Sequence, residues 1–298
     1  NKLKFLFYMQ IRLATEADIP AITDLLGDSE LFQDEDKGMV DVTTKLREGA
    51  AHCFLAIEDG KIVGHASIKY FNKHGTFVPY APMAYLSALV VDPAYQRRGF
   101  GDALTIARLE HLESTGFEGT IASDAVTNHT GAQKILYKHS FHPVSVRFDR
   151  KHPHIGFYKL VGLDHPTAEI YVPGDLRETV QGILSPVCEI GFAETGRGTI
   201  DETCQELYVD KEQFDNSTRG WRLDMTAEAS SPTIDFLRHH PSRPHYGAGF
   251  QPFVEGSQLG VYAHMAKIPS QQFDRDLIKV IPEAEELFDF VWDQCYDS

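Results

Sequence analysis

The segment 85–114 constrains this chain more than any other, because it joins a strand to a helix through a turn with two glycines. Residues 85–91 read as a strand that Asp92-Pro93 ends. Gln96-Arg97-Arg98-Gly99-Phe100-Gly101 then forms the turn, and a helix is expected from about Asp102 to Ser114, with Leu104, Ile106, Leu109 and Leu112 as its buried stripe. At the start of a helix the backbone N–H groups have no intrahelical partner and point outward. The helix dipole adds partial positive charge at the same place, and glycines at 99 and 101 let an anion approach the backbone with no Cβ in the way. The design is that of a phosphate-binding turn. It is not a Walker loop, having no Gly-Lys-Ser/Thr, and it is not a GxGxxG fingerprint.

Around that turn strands and helices alternate. Gln10-Ile11-Arg12-Leu13 alternates polar and apolar as a half-buried strand does. Thr15 offers an N-cap, Asp18 an acid in the first turn, and Ile19, Ile22, Leu25 and Leu26 follow at helical spacing. A short helix is expected over 40–47. Strands over 53–57 and 62–70 are joined through Glu58-Asp59-Gly60-Lys61, a hairpin signal because both central residues can take φ > 0. Residues 71–82 read as a surface loop. A strand over 119–126, a helix over 131–139 and a strand over 143–148 come later. This order predicts an α/β or α+β sandwich with helices covering a sheet.

From about residue 150 the texture changes. Lys151-His152-Pro153-His154 and Asp164-His165-Pro166 mark a boundary, so the expected domains are 9–155 and 165–298. The second contains a helix over 174–184, strands rich in Thr and Tyr, a short helix over 231–239 and a hairpin-like pair around 250–266. It closes with an amphipathic helix from Glu283, with Pro282 in the first turn and Leu287, Phe288, Val291 and Trp292 inward. Residue 1 is not Met and Met9 stands just before the first strand, so residues 1–8 are expected to be an upstream or artificial extension.

Composition removes several function classes. With 28 Lys and Arg against 43 Asp and Glu the net charge is −15, which argues against a non-specific nucleic-acid binder needing a basic face to displace counterions. Cys53, Cys188, Cys204 and Cys295 lie far apart without a CxxC pair, which suits neither a zinc site nor a disulfide framework and fits a reducing compartment. No stretch approaches the ~20 apolar residues of a membrane span. A cytoplasmic protein with no membrane or nucleic-acid partner is expected. His152-x-His154, His239-His240 and His245 lack companion cysteines and an HExxH pattern, and read as solvated loop histidines rather than metal ligands.

Three stretches, in order, resemble the GNAT acetyltransferase superfamily. Val91-Asp92-Pro93-Ala94-Tyr95-Gln96-Arg97-Arg98-Gly99-Phe100-Gly101 resembles its pyrophosphate signature, Q/R-x-x-G-x-G/A. Ile11-Arg12-Leu13-Ala14-Thr15-Glu16-Ala17-Asp18-Ile19 resembles the start of that fold, and Asn128-His129, Ala132-Gln133-Lys134 and Ser140-Phe141 resemble its Asn followed by a helix closing on Gly-Phe. The resemblance covers about residues 9–150 and implies a mixed sheet flanked by helices. It implies acetyl-CoA, or a related acyl-CoA, as acyl donor, and no metal. Backbone groups of Leu89, Val90 and Val91 would bind pantetheine as an added strand does. Gln96, Arg97, Arg98, Gly99, Phe100, Gly101 and Asp102 would hold the pyrophosphate. Arg97 and Arg98 either reach the 3′-phosphate of the nucleotide or form a solvated pair. Asn128 matches a position beside the thioester and also suits a helix N-cap.

Acetyl transfer to an amine needs a base, because the attacking nitrogen must be neutral. It also needs a polarised thioester carbonyl and a proton for the departing thiolate. Many family members carry a Glu near the start of the fourth strand; here that position is about Tyr85, so the usual base is missing. Asp124, on the next strand, either acts through a water or is an ordinary ion-paired aspartate. The usual acid is a Tyr five residues before the closing Phe, a position that falls on Leu136. Tyr137 sits one place on, rotated about 100° on a helix, and is either the acid, given a local bulge, or packing. The expected activity is direct acyl transfer to the amine of a small molecule or peptide. The alternative is a non-catalytic acyl-CoA sensor that kept the turn and lost the base. A homodimer is left open.

The second half carries no second Q/R-x-x-G-x-G. Trp221-Arg222-Leu223-Asp224-Met225, then 231–239, Ala248-Gly249-Phe250-Gln251-Pro252-Phe253 and 261–268 resemble the strand–helix–Gly-Phe–hairpin tail of the same fold. The expectation is a smaller, degenerate GNAT-like domain; a plain α+β substrate cap is the alternative.

Overall fold

The computed structural model describes residues 9–27, 44, 46–47, 51–71, 83–148, 152–163, 167–170, 177–192, 197–200, 205–207, 221–224, 247–255, 258–266 and 273–295. Backbone contacts divide the chain into two compact units, 1–70 with 84–117 and 71–83 with 118–298. These units do not follow the boundary expected from sequence near 150–166.

The first unit runs β1 (Gln10–Leu13), α1 (Ile19–Gly27), β2 (Ala51–Glu58), β3 (Lys61–Phe71), β4 (Met83–Val91) and α2 (Phe100–Ser114), with its sheet in the order β1-β2-β3-β4. β1 and β2 are antiparallel with Ile11 opposite Ala56. β2 and β3 are antiparallel and turn at Asp59 and Gly60, whose φ angles of 49° and 77° are the left-handed values that the Asp-Gly pair predicts. Ile22 and Leu26 of α1 pack with Cys53, Leu55 and Val90. Burial pushes the Cys53 thiol up to about 11, so it is an inert core residue. On α2 the buried positions are Phe100, Leu104, Thr105, Arg108 and Leu112. Ile106, expected inside, is exposed.

A short 3-10 turn, Glu16–Asp18, precedes α1. Asp18 accepts two hydrogen bonds from the Arg12 guanidinium, at 2.7 and 2.8 Å, and one each from the Thr15 N–H and hydroxyl. The Arg12 bonds, then those of Thr15, hold its carboxyl well below the usual range against the opposing effect of burial. A carboxylate held down in the folded state stabilises fully above its unfolded value of about 3.9. That contribution is lost as pH falls through the lower folded value. The melting-temperature gap between the wild type and Asp18→Asn, followed by circular dichroism, is therefore expected to narrow on acidification below about pH 4. A gap that stays constant into strong acid would contradict this assignment.

The second unit runs β5 (Gly119–Val126), α3 (Gly131–Lys138), β6 (His142–Arg147), β7 (His154–Val161), β8 (Thr167–Ile170), α4 (Arg177–Leu184), β9 (Glu189–Phe192), β10 (Arg197–Ile200), β11 (Gln205–Leu207), β12 (Trp221–Asp224), β13 (Gly247–Glu255), β14 (Gln258–Ala266) and α5 (Pro282–Cys295). Its larger sheet is ordered β5-β7-β6-β13-β14-β12-β10-β11, and β8 pairs with β9 in parallel. The stretch 154–161, placed at the domain boundary from sequence, is instead a strand that inserts between β5 and β6. His154, expected in a solvated loop, is buried on it. β6 then pairs antiparallel with β13, Arg147 opposite Gly247 and Ser145 opposite Gly249.

The closing helix α5 buries Leu287, Phe288 and Val291, as its spacing predicts. Phe148, just beyond β6, lies 6.0 Å from Phe288, 5.8 Å from Trp292 and 5.6 Å from Phe273 between ring centroids. Residues from both sides of the sequence boundary thus share one core. The helix expected over 231–239, the loop 72–82, residues 1–8 and His239, His240 and His245 lie outside the described residues, as does most of the helix expected over 40–47. Among the described residues no helix is long and apolar enough to cross a membrane.

Candidate functional site

In the first unit the chain leaves β4 through a turn built by side chains. Asp92 accepts from the Ala94 N–H at 2.9 Å and from Lys61 Nζ at 3.0 Å, while its own N–H donates to the Val63 carbonyl. Gln96 Nε2 donates to the Val91 carbonyl at 3.2 Å and folds the turn back on the strand end. Arg97 (φ 59°) and Gly99 (φ 94°) are both left-handed. Gly99 is the N-cap of α2 and, having no side chain, leaves the amides at the helix start uncovered. Beyond Gly99 and its two chain neighbours, no heavy atom of the described residues lies within 4 Å of where its Cβ would be, so this backbone opens on free space.

The two arginines have different roles. Arg98 Nη2 pairs with Glu58 Oε1 at 2.5 Å, and its guanidinium lies 5.2 Å from the Tyr95 ring centroid and 5.6 Å from that of Phe100. It braces the turn from within. Arg97 is exposed and stands on the turn itself, which makes it the better placed of the two for an outer phosphate.

β4 carries a feature with no sequence signal of its own. Ala88 has φ 51° in mid-strand, a left-handed value uncommon for a residue with a side chain. Polar groups of β3 hold the irregular segment. His65 Nδ1 donates to the Ala88 carbonyl at 3.0 Å, and the Ser67 hydroxyl lies 2.8 Å from the Ser87 hydroxyl. His65 is fully buried, and burial drives its pKa down to about 4, so the ring is neutral with its proton on Nδ1. Two inward-facing polar residues on an apolar strand, His65 and Ser67, were the available clue. Leu89, Val90 and Val91 follow this break and lead into the turn, so the first unit brings those three residues together with 96–102. Tyr85, half-buried, lies earlier on the same strand.

The remaining candidates belong to the second unit. Asp124 on β5 is ion-paired with Arg147 on β6, the ordinary strand-aspartate arrangement of the two readings considered. Asn128 is not the helix cap; Thr130 holds that place. Among the described residues its buried Oδ1 has no hydrogen-bond partner, an acceptor still open to a donor. The backbone beside it is fixed. The Thr127 N–H and hydroxyl both donate to the Pro153 carbonyl, and the Lys279 N–H donates to the Thr127 carbonyl at 2.7 Å. Gln133, fully buried, has its Nε2 within reach of the carbonyls of Val126, His129 and Lys279, and its Oε1 accepts from the Ile281 N–H. Helix α3 runs unbroken over Gly131–Lys138. The bulge needed to turn Tyr137 onto the face of buried Leu136 is therefore absent. Tyr137 is 39% exposed, its ring edge-on to His142.

Residues 19–141 match the model of the acetyltransferase (GNAT) family. The order of strands and helices over that stretch is the mixed sheet flanked by helices of the GNAT fold. Similar solved structures include a ribosomal-protein-alanine N-acetyltransferase from Brucella melitensis, 18% identical, with a TM-score of 0.42 over 51% of this chain and 99% of that one. Another is an acetyltransferase of the GNAT family from Streptococcus pneumoniae, 20% identical, with a TM-score of 0.41 over 51% of this chain and 99% of that one. A search of curated proteins finds no match.

Proposed function

We propose, from the premise that the N-terminal half of this chain carries a GNAT acetyltransferase domain, that the protein moves an acetyl group from acetyl-CoA to an amine by direct attack. The observation that carries the reading is the turn 96–102, with left-handed Arg97 and Gly99 and an uncovered helix start. Gly99, Phe100, Gly101 and Asp102 would offer the pyrophosphate their amides, and Gln96 and Arg98 would keep the turn in shape. The Leu89–Val91 backbone would take pantetheine, and the open Asn128 Oδ1 would accept a hydrogen bond near the thioester. A chain charge of −15 favours a cationic acceptor, small molecule or peptide, through steering. Residues 9–155 would be the acetyltransferase domain and 165–298 its degenerate companion. Isothermal calorimetry with acetyl-CoA, followed by free-CoA release across a panel of amines, tests the reading. Absence of acetyl-CoA binding would end it.

For the chemistry, with α3 unbroken Tyr137 would have to reach the departing thiolate from the exposed helix face that its ring occupies, and that is the acid role to test. The neutral amine comes from the acceptor's own equilibrium, since Asp124 is committed to Arg147 and Tyr85 falls about where the family resemblance calls for a Glu. A positioned acid is worth ~10²–10⁴-fold, so Tyr137→Phe is expected to lower kcat by that factor with acetyl-CoA affinity nearly intact. A rise in the amine KM alone would mark Tyr137 as a binding residue instead. The pairing of Asp124 favours one rival, an acyl-CoA sensor without turnover. Acetyl-CoA binding with no productive acceptor would establish it.

A further inference from the structure

Arg108 breaks the pattern of α2. It stands on the stripe Phe100, Leu104, Arg108, Leu112, where the spacing calls for an aliphatic residue, and it is 1% exposed. Its Nη2 donates to the Thr105 hydroxyl at 3.0 Å, and that hydroxyl donates to the Gly101 carbonyl at 2.9 Å. Among the described residues Nε and Nη1 have no partner, and no carboxylate is paired with the guanidinium. Burial pulls the guanidinium down to about 9, which still leaves it charged at neutral pH. The buried histidine of β3, His65, is neutral and offers no countercharge.

An unpaired buried cation destabilises the fold around it. What this one has at hand is the helix start. Gly101 lies seven residues, or roughly 10 Å, up the axis, and helical side chains lean toward the N-terminus. Thr105 ties the guanidinium to the carbonyl of Gly101 itself. An anion on the amides of 99–102 would therefore meet the helix dipole and, behind it, a full positive charge in a medium that screens poorly.

We propose that Arg108 is a positioning residue that supplies the fixed countercharge for the diphosphate held by the turn 96–102, so that the unit gives up stability for affinity toward a multiply charged phosphate ligand. The inference rests on the acetyl-CoA reading above. It makes the turn selective by charge: a ligand with the diphosphate gains from Arg108, and the same acyl arm without phosphates does not.

The test compares wild type, Arg108→Met and Arg108→Lys. Acetyl-CoA is titrated by calorimetry, S-acetylpantetheine, which carries no phosphate, by NMR, and each protein is melted. Arg108→Met is expected to bind acetyl-CoA about tenfold or more weakly, to bind S-acetylpantetheine unchanged, and to melt at the same or a higher temperature. Arg108→Lys is expected to recover most of the affinity for acetyl-CoA at pH 6, because the bound diphosphate favours the charged ammonium against the effect of burial. Unchanged acetyl-CoA affinity in Arg108→Met overturns this inference alone, as does equal weakening toward both ligands with a lower melting temperature, which would make Arg108 a packing residue. If Arg108→Met does not fold, Arg108→Lys decides: loss of acetyl-CoA affinity at pH 6 in a folded protein overturns the inference. No acetyl-CoA binding by the wild type overturns the acetyl-CoA reading and this inference with it.

Discussion

Gly99→Val is expected to lose acetyl-CoA binding by about a hundredfold or more while the protein still unfolds cooperatively. The variant is accommodated in one sense: beyond the adjacent residues, nothing among the described residues lies within 4 Å of the new Cβ. Two other costs remain. A β-branched residue at φ 94° is strained, by roughly 1–2 kcal/mol for leaving the right-handed region. Its methyl groups would also stand over the amides that the turn presents. A hydrogen bond to a charged group is worth about 1.5–3 kcal/mol. Blocking two of them reaches a hundredfold, since each 1.4 kcal/mol or so is a factor of ten. Calorimetry gives the affinity and circular dichroism the fold. Wild-type affinity in a folded Gly99→Val protein would remove the turn from the cofactor site.

The second large effect is on stability. Gln133→Leu fills the same space but leaves the Val126, His129 and Lys279 carbonyls and the Ile281 N–H without the partner they share. An orphaned buried polar group costs about 1–3 kcal/mol, so the second unit is expected to lose at least several kcal/mol. The chain has two tryptophans, Trp221 and Trp292, and both belong to that unit. Denaturation by urea followed by tryptophan fluorescence therefore reads it directly. A midpoint shift equivalent to less than about 1 kcal/mol would mean that water replaces the amide and that Gln133 is dispensable.

What could be read from the sequence had local causes. The β2–β3 hairpin announces itself because Asp59-Gly60 sits between two apolar runs, and α5 because its period is clean. β7 was missed because its first five residues are buried in succession, so no alternation shows, and its flanks are rich in His and Pro. Arg108 was missed because a charged residue on a helix is read as a surface residue, which put Ile106 inside in its place. The turn 96–102 was legible from its glycines as the opening of a helix, and Gly99 is indeed left-handed at the N-cap of α2. The Ala88 break beside it was not, since alanine has no preference that marks it. Nor could the sequence show that Gln133 is bonded to Lys279 and Ile281, because nothing in a linear pattern connects residues so far apart.

That last bond has a consequence for how the protein is made. Gln133 and Ile281 are separated by 148 residues. At synthesis rates of about 5–20 residues per second, the β5–β7 ribbon leaves the ribosome roughly 7–30 s before the tail that seals it. During that interval Phe148 has neither Phe273, Phe288 nor Trp292 against it, and the edge of β6 that pairs with β13 is open to any passing strand. Nascent chains stalled between residues 160 and 280 should consequently be held by chaperones or be degraded, and release should coincide with emergence of α5.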